Sequence, residues 1–167
     1  MMETFLPQLM EKDSISELLW CSQHFIDIPE KSLAQILQFC LDKSATLNNG
    51  GQYTELLNIV LSIPFSEVCL LPFLRTISFP QVLSLLEYLA DKLESDNLDL
   101  DIHHLVNWAN ILLDAHYQHY LLSGDPQVQE LLFRFREIST QQVCIYFIGL
   151  LIQAIFFLAS IRIFHQI

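Results

Sequence analysis

The chain has 167 residues, of which 52% are apolar and only 16% charged, and its net charge is −11. Glycine (4) and proline (6) are scarce, which excludes a disordered or loop-rich chain. Phosphate neutralisation needs clustered lysine and arginine, so direct binding to DNA or RNA is not expected.

Met1-Met2-Glu3-Thr4 carries no basic region and no long apolar run follows it, so no signal peptide is expected. Cys21, Cys40, Cys69 and Cys144 are widely spaced with no Cys-x-x-Cys, and the pattern predicts buried free thiols in a reducing compartment. Asp13 reads as a helix N-cap, and Ser14 with Glu17 has capping-box spacing. Behind them Ile15, Leu18, Leu19 and Phe25 recur near helical spacing. Ile28-Pro29-Glu30 opens the next helix, whose stripe is Leu33, Ile36, Leu37, Cys40 and Leu41.

Asn48-Asn49-Gly50-Gly51 marks a linker. Leu56, Leu57, Val60 and Leu61 form the following stripe, closed by Pro64. Ser66 to Arg75 predicts a short helix that Pro72 kinks or splits. Ser78 and Pro80 start a longer one through Val82, Leu86, Leu89 and Leu93. Asp99 or Asp101 caps the longest helix of the body, expected over Ile102 to Leu122 and ended by Ser123-Gly124. Asp125-Pro126 restarts a helix with Val128, Leu131, Leu132 and Phe135 on one face.

Composition changes sharply near residue 138. Residues 1–137 hold all the acids, and residues 138–167 hold a single basic residue, Arg162. The segment Val143–Ile161 is apolar except for Gly149, Gln153 and Ser160. About 20 apolar residues suffice for a helix to span a bilayer. Val143, Leu150, Phe157 and Ile161 therefore mark a candidate membrane segment, with Arg134 and Arg136 on the cytoplasmic side and Arg162 and His165 beyond it. The competing expectation is a long hydrophobic helix buried against the body. The domain division is thus 1–137, an acidic helical interaction domain, and 138–167, the hydrophobic C-terminal helix.

No strand alternation competes with these stripes. The fold class expected is all-α, an irregular α-solenoid-like array of antiparallel helix hairpins. Catalytic fingerprints are absent: there is no Walker loop, no Gly-x-Gly-x-x-Gly, no Gly-x-Ser-x-Gly and no His-Glu-x-x-His. His116 and His119 could supply two metal ligands, but a site needs three or four, so packing roles are expected for both. Trp20 and Trp108 border apolar stripes, which favours core filling over interface anchoring for each. Glu94-Ser95-Asp96, continuing to Asp99 and Asp101, reads as a solvated loop with caps before it reads as a docking surface for a basic partner.

Several strings occur together in order: Leu18-Leu19-Trp20-Cys21, then Phe25-Ile26-Asp27-Ile28-Pro29-Glu30, then Leu56-Leu57-Asn58. Ser66-Glu67-Val68-Cys69-Leu70-Leu71-Pro72-Phe73-Leu74 and Trp108-Ala109-Asn110-Ile111-Leu112-Leu113-Asp114-Ala115-His116 follow. From Glu3 to Ile138 the chain resembles the C-terminal helical domain of the nucleolar protein eleven family. That resemblance implies a scaffold, not an enzyme, in the nucleolus of the nucleus. It implies other proteins of the small-subunit processome as partners and a role in ribosomal RNA transcription and pre-18S processing. The family carries a β-propeller before the helical domain, and its helical domain continues with polar, charge-bearing helix where this chain turns apolar near Ser139. The expectation is accordingly a truncated or alternatively spliced form with a divergent tail. No cofactor, metal or small-molecule substrate is expected. The candidate partner-binding residues are Trp108, Phe65, Phe73 and Phe79, and a tail-anchored membrane protein is the alternative.

Overall fold

A computed structural model describes residues 2–25, 28–43, 51–95, 101–138 and 140. Among these residues the chain is all-helical, with no strand. The helices are α1 (Met2–Glu11), α2 (Ile15–His24), α3 (Glu30–Lys43), α4 (Gln52–Ser62), α5 (Glu67–Leu74), α6 (Phe79–Glu94), α7 (Ile102–Ala115) and α8 (Tyr117–Leu122), followed by α9 over 126–138.

The apolar stripes become one continuous core. Leu33, Ile36, Leu37, Cys40 and Leu41 of α3 are all buried, as are Leu56, Leu57, Val60 and Leu61 of α4. The sequence neighbours α1/α2, α3/α4 and α6/α7 pack together. Packing of α2 on α4, α1 and α5 on α3, and α7 on α4 and α5 joins these pairs. α9 buries Val128, Leu131, Phe135 and Ile138. Its Arg134 reaches back to α6, with its guanidinium 2.9 Å from Asp91 and 2.8 Å from Glu94.

Several caps follow the sequence. The Asp101 carboxylate accepts from the His103 backbone N–H at 3.0 Å, and Asp125 accepts from that of Gln127 at 2.9 Å. Ser78 precedes α6, and Pro80 lies in its first turn, where a missing N–H costs no helical bond. Pro72 sits inside α5 without splitting it.

Four expectations are corrected. Asp13 is not a helix cap. Ser14 takes the N-cap position of α2, with no side-chain cap bond, and Asp13 adopts a left-handed φ of 54°, which aspartate tolerates better than most residues. Its carboxylate instead accepts from Lys43 Nζ and Tyr53 Oη, both at 2.9 Å, so it joins the α1–α2 corner to the end of α3 and the start of α4. The long helix expected over Ile102 to Leu122 is broken at His116, whose φ of −118° and ψ of 20° separate α7 from α8. Trp20, expected to fill the core, is exposed. Cys69 is exposed as well, whereas Cys21 and Cys40 are buried free thiols, as expected. Burial raises the Cys40 pKa to about 12.

Among the described residues no helix is long and apolar enough to cross a membrane. The candidate membrane segment, with Val143, Leu150, Phe157 and Ile161, lies outside the described residues, as does Cys144.

Candidate partner-binding surface

Trp108 is fully buried in α7. Its Nε1–H donates to the Leu61 carbonyl of α4 at 3.1 Å. Leu61 lies in the last turn of α4, where carbonyls have no intrahelical partner. The indole therefore fills the core and satisfies a helix end at once. Phe65, half-buried just beyond α4, packs its ring 4.6 Å from that of Trp108 at 54°. Trp108 is thus the support beneath Phe65 and does not itself reach the surface.

Phe73 is half-buried on α5, against the core. Phe79, at the start of α6, belongs to a separate aromatic group. Its ring lies 5.3 Å from His119, nearly parallel, and 5.2 Å from Tyr120, edge-on. The four candidates thus divide into Trp108 with Phe65, then Phe73, then Phe79 with α8.

The break at His116 builds this last group. His116 is buried, and its Nε2 lies 3.0 Å from the Leu74 carbonyl at the end of α5. A carbonyl only accepts, so Nε2 carries the proton. Nδ1 is buried without a partner. Burial holds the His116 pKa below its ordinary value; the bond to Leu74 opposes this, and His119 and the Arg75 guanidinium reinforce it. Arg75, Asp114, Tyr117, Gln118 and His119 line an open groove of about 440 Å³ beside His116. Among the described residues no group of three or more His, Cys, Asp or Glu side chains has the geometry of a metal site.

The six-residue helix that follows the break turns apolar side chains outward. Tyr117, Leu121 and Leu122 are exposed, Leu122 by 86%. Sequence reading missed these three because it continued α7 through them. Phe133 of α9 and Val68 of α5 are exposed as well. The acidic run is partly committed internally: Glu94 pairs with Arg134 and Asp101 caps α7, while residues 96–100 lie outside the described residues.

The sequence model described as Nucleolar protein 11 C-terminal domain matches residues 1–155. The match runs past Ile138 into the apolar segment. Among curated proteins, nucleolar protein 11 of Xenopus laevis is 29% identical over 133 residues, covering 74% of this chain and 16% of that protein. The chain therefore spans about a sixth of that relative's length. With most of its length matched and its matched stripes forming the helical core, the chain belongs to the nucleolar protein 11 C-terminal domain family.

Proposed function

We propose that the chain is a non-enzymatic protein-interaction domain of a nucleolar ribosome-biogenesis factor, acting in the small-subunit processome. An α-solenoid-like array of helix pairs would present its docking surfaces to other processome proteins in the nucleus. The role would be scaffolding for ribosomal RNA transcription and pre-18S processing, without a small-molecule substrate or direct nucleic-acid contact. Family membership supports the nucleolar setting.

The observation that carries the docking reading is the cluster on α8. Tyr117 and Leu121 stand four positions apart on one exposed face of α8, Leu122 is exposed in its last turn, and the half-buried Phe79 packs on His119 and Tyr120 of the same helix. Grouped exposed apolar side chains with a polar rim are a recurrent mark of protein–protein sites. The net charge of −11 argues against phosphate as the ligand.

Immobilised chain incubated with nucleolar extract, with and without RNase, tests this. Processome proteins should be retained after RNase treatment. Recovery that disappears with RNase would contradict a protein-contact mechanism.

The membrane alternative rests on one observation, the apolar composition of 143–161. The family match through residue 155 favours the domain reading for most of that segment. Carbonate extraction of the full chain separates the two: release into the soluble fraction supports the domain reading, and retention in the pellet supports the anchor.

A further inference from the structure

A second surface lies on α2 and is independent of the nucleolar reading. Trp20 points outward with 57% of its surface exposed. Ser16, Glu17, Gln23 and His24 stand three or four positions from it, which places them on its face of the helix. All four are exposed. The other side of α2 is occupied by Leu18, Cys21 and Ser22 in the core, so the outward face is fixed by what the helix buries.

The indole is held in place. Its ring stacks on His24, with centroids 4.5 Å apart and planes 16° from parallel. His24 is held in turn, since its Nδ1–H donates to the Trp20 carbonyl at 2.8 Å. One side of the indole is therefore covered, and the exposed area belongs to the rest of the ring. A fixed aromatic surface loses little conformational freedom on binding.

The surroundings select the ligand. An apolar partner covering Trp20 would also cover the Glu17 carboxylate and leave it desolvated and unpaired, at high cost. An anionic partner would meet that carboxylate directly. A cationic side chain satisfies both groups, because the indole is the best of the aromatic rings for cation–π contact. A planar guanidinium can stack on the ring and still bond a carboxylate. Two cations among the described residues already face other rings. Lys43 Nζ lies 5.7 Å from the Phe39 ring centroid and Lys92 Nζ 5.5 Å from that of Tyr88, and α2 itself contains no lysine or arginine. The net charge of −11 attracts a positively charged partner from a distance.

The geometry points to the Trp20–Glu17 face of α2 as a docking surface for an arginine-bearing basic polypeptide segment, with a guanidinium over the indole and paired to Glu17.

The test uses the full chain, labelled with ¹⁵N and titrated with an arginine-rich peptide or with a glutamate-rich peptide of equal length. The two tryptophans give separate indole N–H signals. Trp108 is buried and bonded to Leu61, so its signal reports an intact fold. The arginine-rich peptide should shift the Trp20 signal saturably and leave that of Trp108 in place. Trp20→Ala, which changes no charge, should weaken binding about fivefold while the Trp108 signal is unmoved. Glu17→Gln should weaken binding too. Unchanged affinity in Trp20→Ala would overturn the proposal, since net charge alone would then explain the attraction. So would a Trp20 signal that stays fixed at saturation, or one that the glutamate-rich peptide shifts equally.

Discussion

Trp108 Nε1–H donates to the Leu61 carbonyl across the contact between α7 and α4, with the indole fully buried. One side chain thereby closes a helix terminus and fills the space beneath Phe65. Trp108→Phe keeps a ring but strands a carbonyl. It should cost about 1–3 kcal/mol, and Trp108→Ala about 3–5 kcal/mol. Urea denaturation of the three proteins checks this order. A Trp108→Phe midpoint equal to that of the wild type would show that the bond contributes nothing.

His116 gives the fold a pH dependence with a defined sign. Its folded ring takes up a proton less readily than an unfolded ring, whose ordinary pKa is 6.5. The stability linked to this ring is complete above that value and is lost as pH falls below it, because the unfolded state then binds more protons. Melting temperatures measured between about pH 7.5 and about pH 5.5 should fall for the wild type. In His116→Gln they should fall less steeply. Equal slopes would remove His116 as the cause.

Asp13 acts in a separate, more acidic window. The hydrogen bond from Lys43, and next that from Tyr53, hold its carboxyl below the ordinary value of 3.8. Its contribution is present above that value and is lost as pH falls through the folded pKa. Asn tolerates the left-handed backbone at this position, so Asp13→Asn isolates the charge. The variant should show more proteolytic nicking near the α1–α2 corner at neutral pH, and no change would contradict the tie.

Arg134 joins α9 to α6 through two carboxylates. All three side chains are partly exposed, so Arg134→Met should cost only about 0.5–1 kcal/mol, and less at high salt. Denaturation curves at low and high ionic strength measure this. A large loss independent of salt would mean that the aliphatic stem, not the charge, makes the connection.

The cysteines differ in reach. Cys69 is exposed, while Cys21 and Cys40 are buried. Burial raises the Cys40 pKa to about 12 and pushes that of Cys21 up as well, so both stay protonated. A maleimide applied to the native chain should label Cys69 before Cys21 and Cys40, as mass mapping of the peptides would show. Early labelling of Cys40 would contradict the core arrangement.

Periodicity made α3, α4 and α6 legible, because each buries one clean stripe against its neighbours. α1 was hidden by Pro7 inside the helix, although Leu6 and Leu9 have helical spacing and are buried. The break at His116 has no local signal, since no glycine or proline marks it. It is associated with a long-range bond to Leu74, which no sequence window contains. The exposed face of α8 was missed for the same reason. Trp20 and Trp108 both adjoin apolar residues in sequence, but the positions three and four away from Trp20 are Ser16, Glu17, Gln23 and His24, whereas those around Trp108 include Leu105, Ile111 and Leu112. Helical spacing therefore carries the signal for their opposite fates, which immediate adjacency to a stripe conceals.

α8 carries the docking face proposed for protein partners. The most direct test compares the wild type with a Leu121→Asp, Leu122→Asp variant in capturing processome proteins from RNase-treated nucleolar extract. Both side chains are exposed, so the melting temperature should be unchanged. Capture should be retained by the wild type and lost by the variant, and equal capture by the two would contradict the claim.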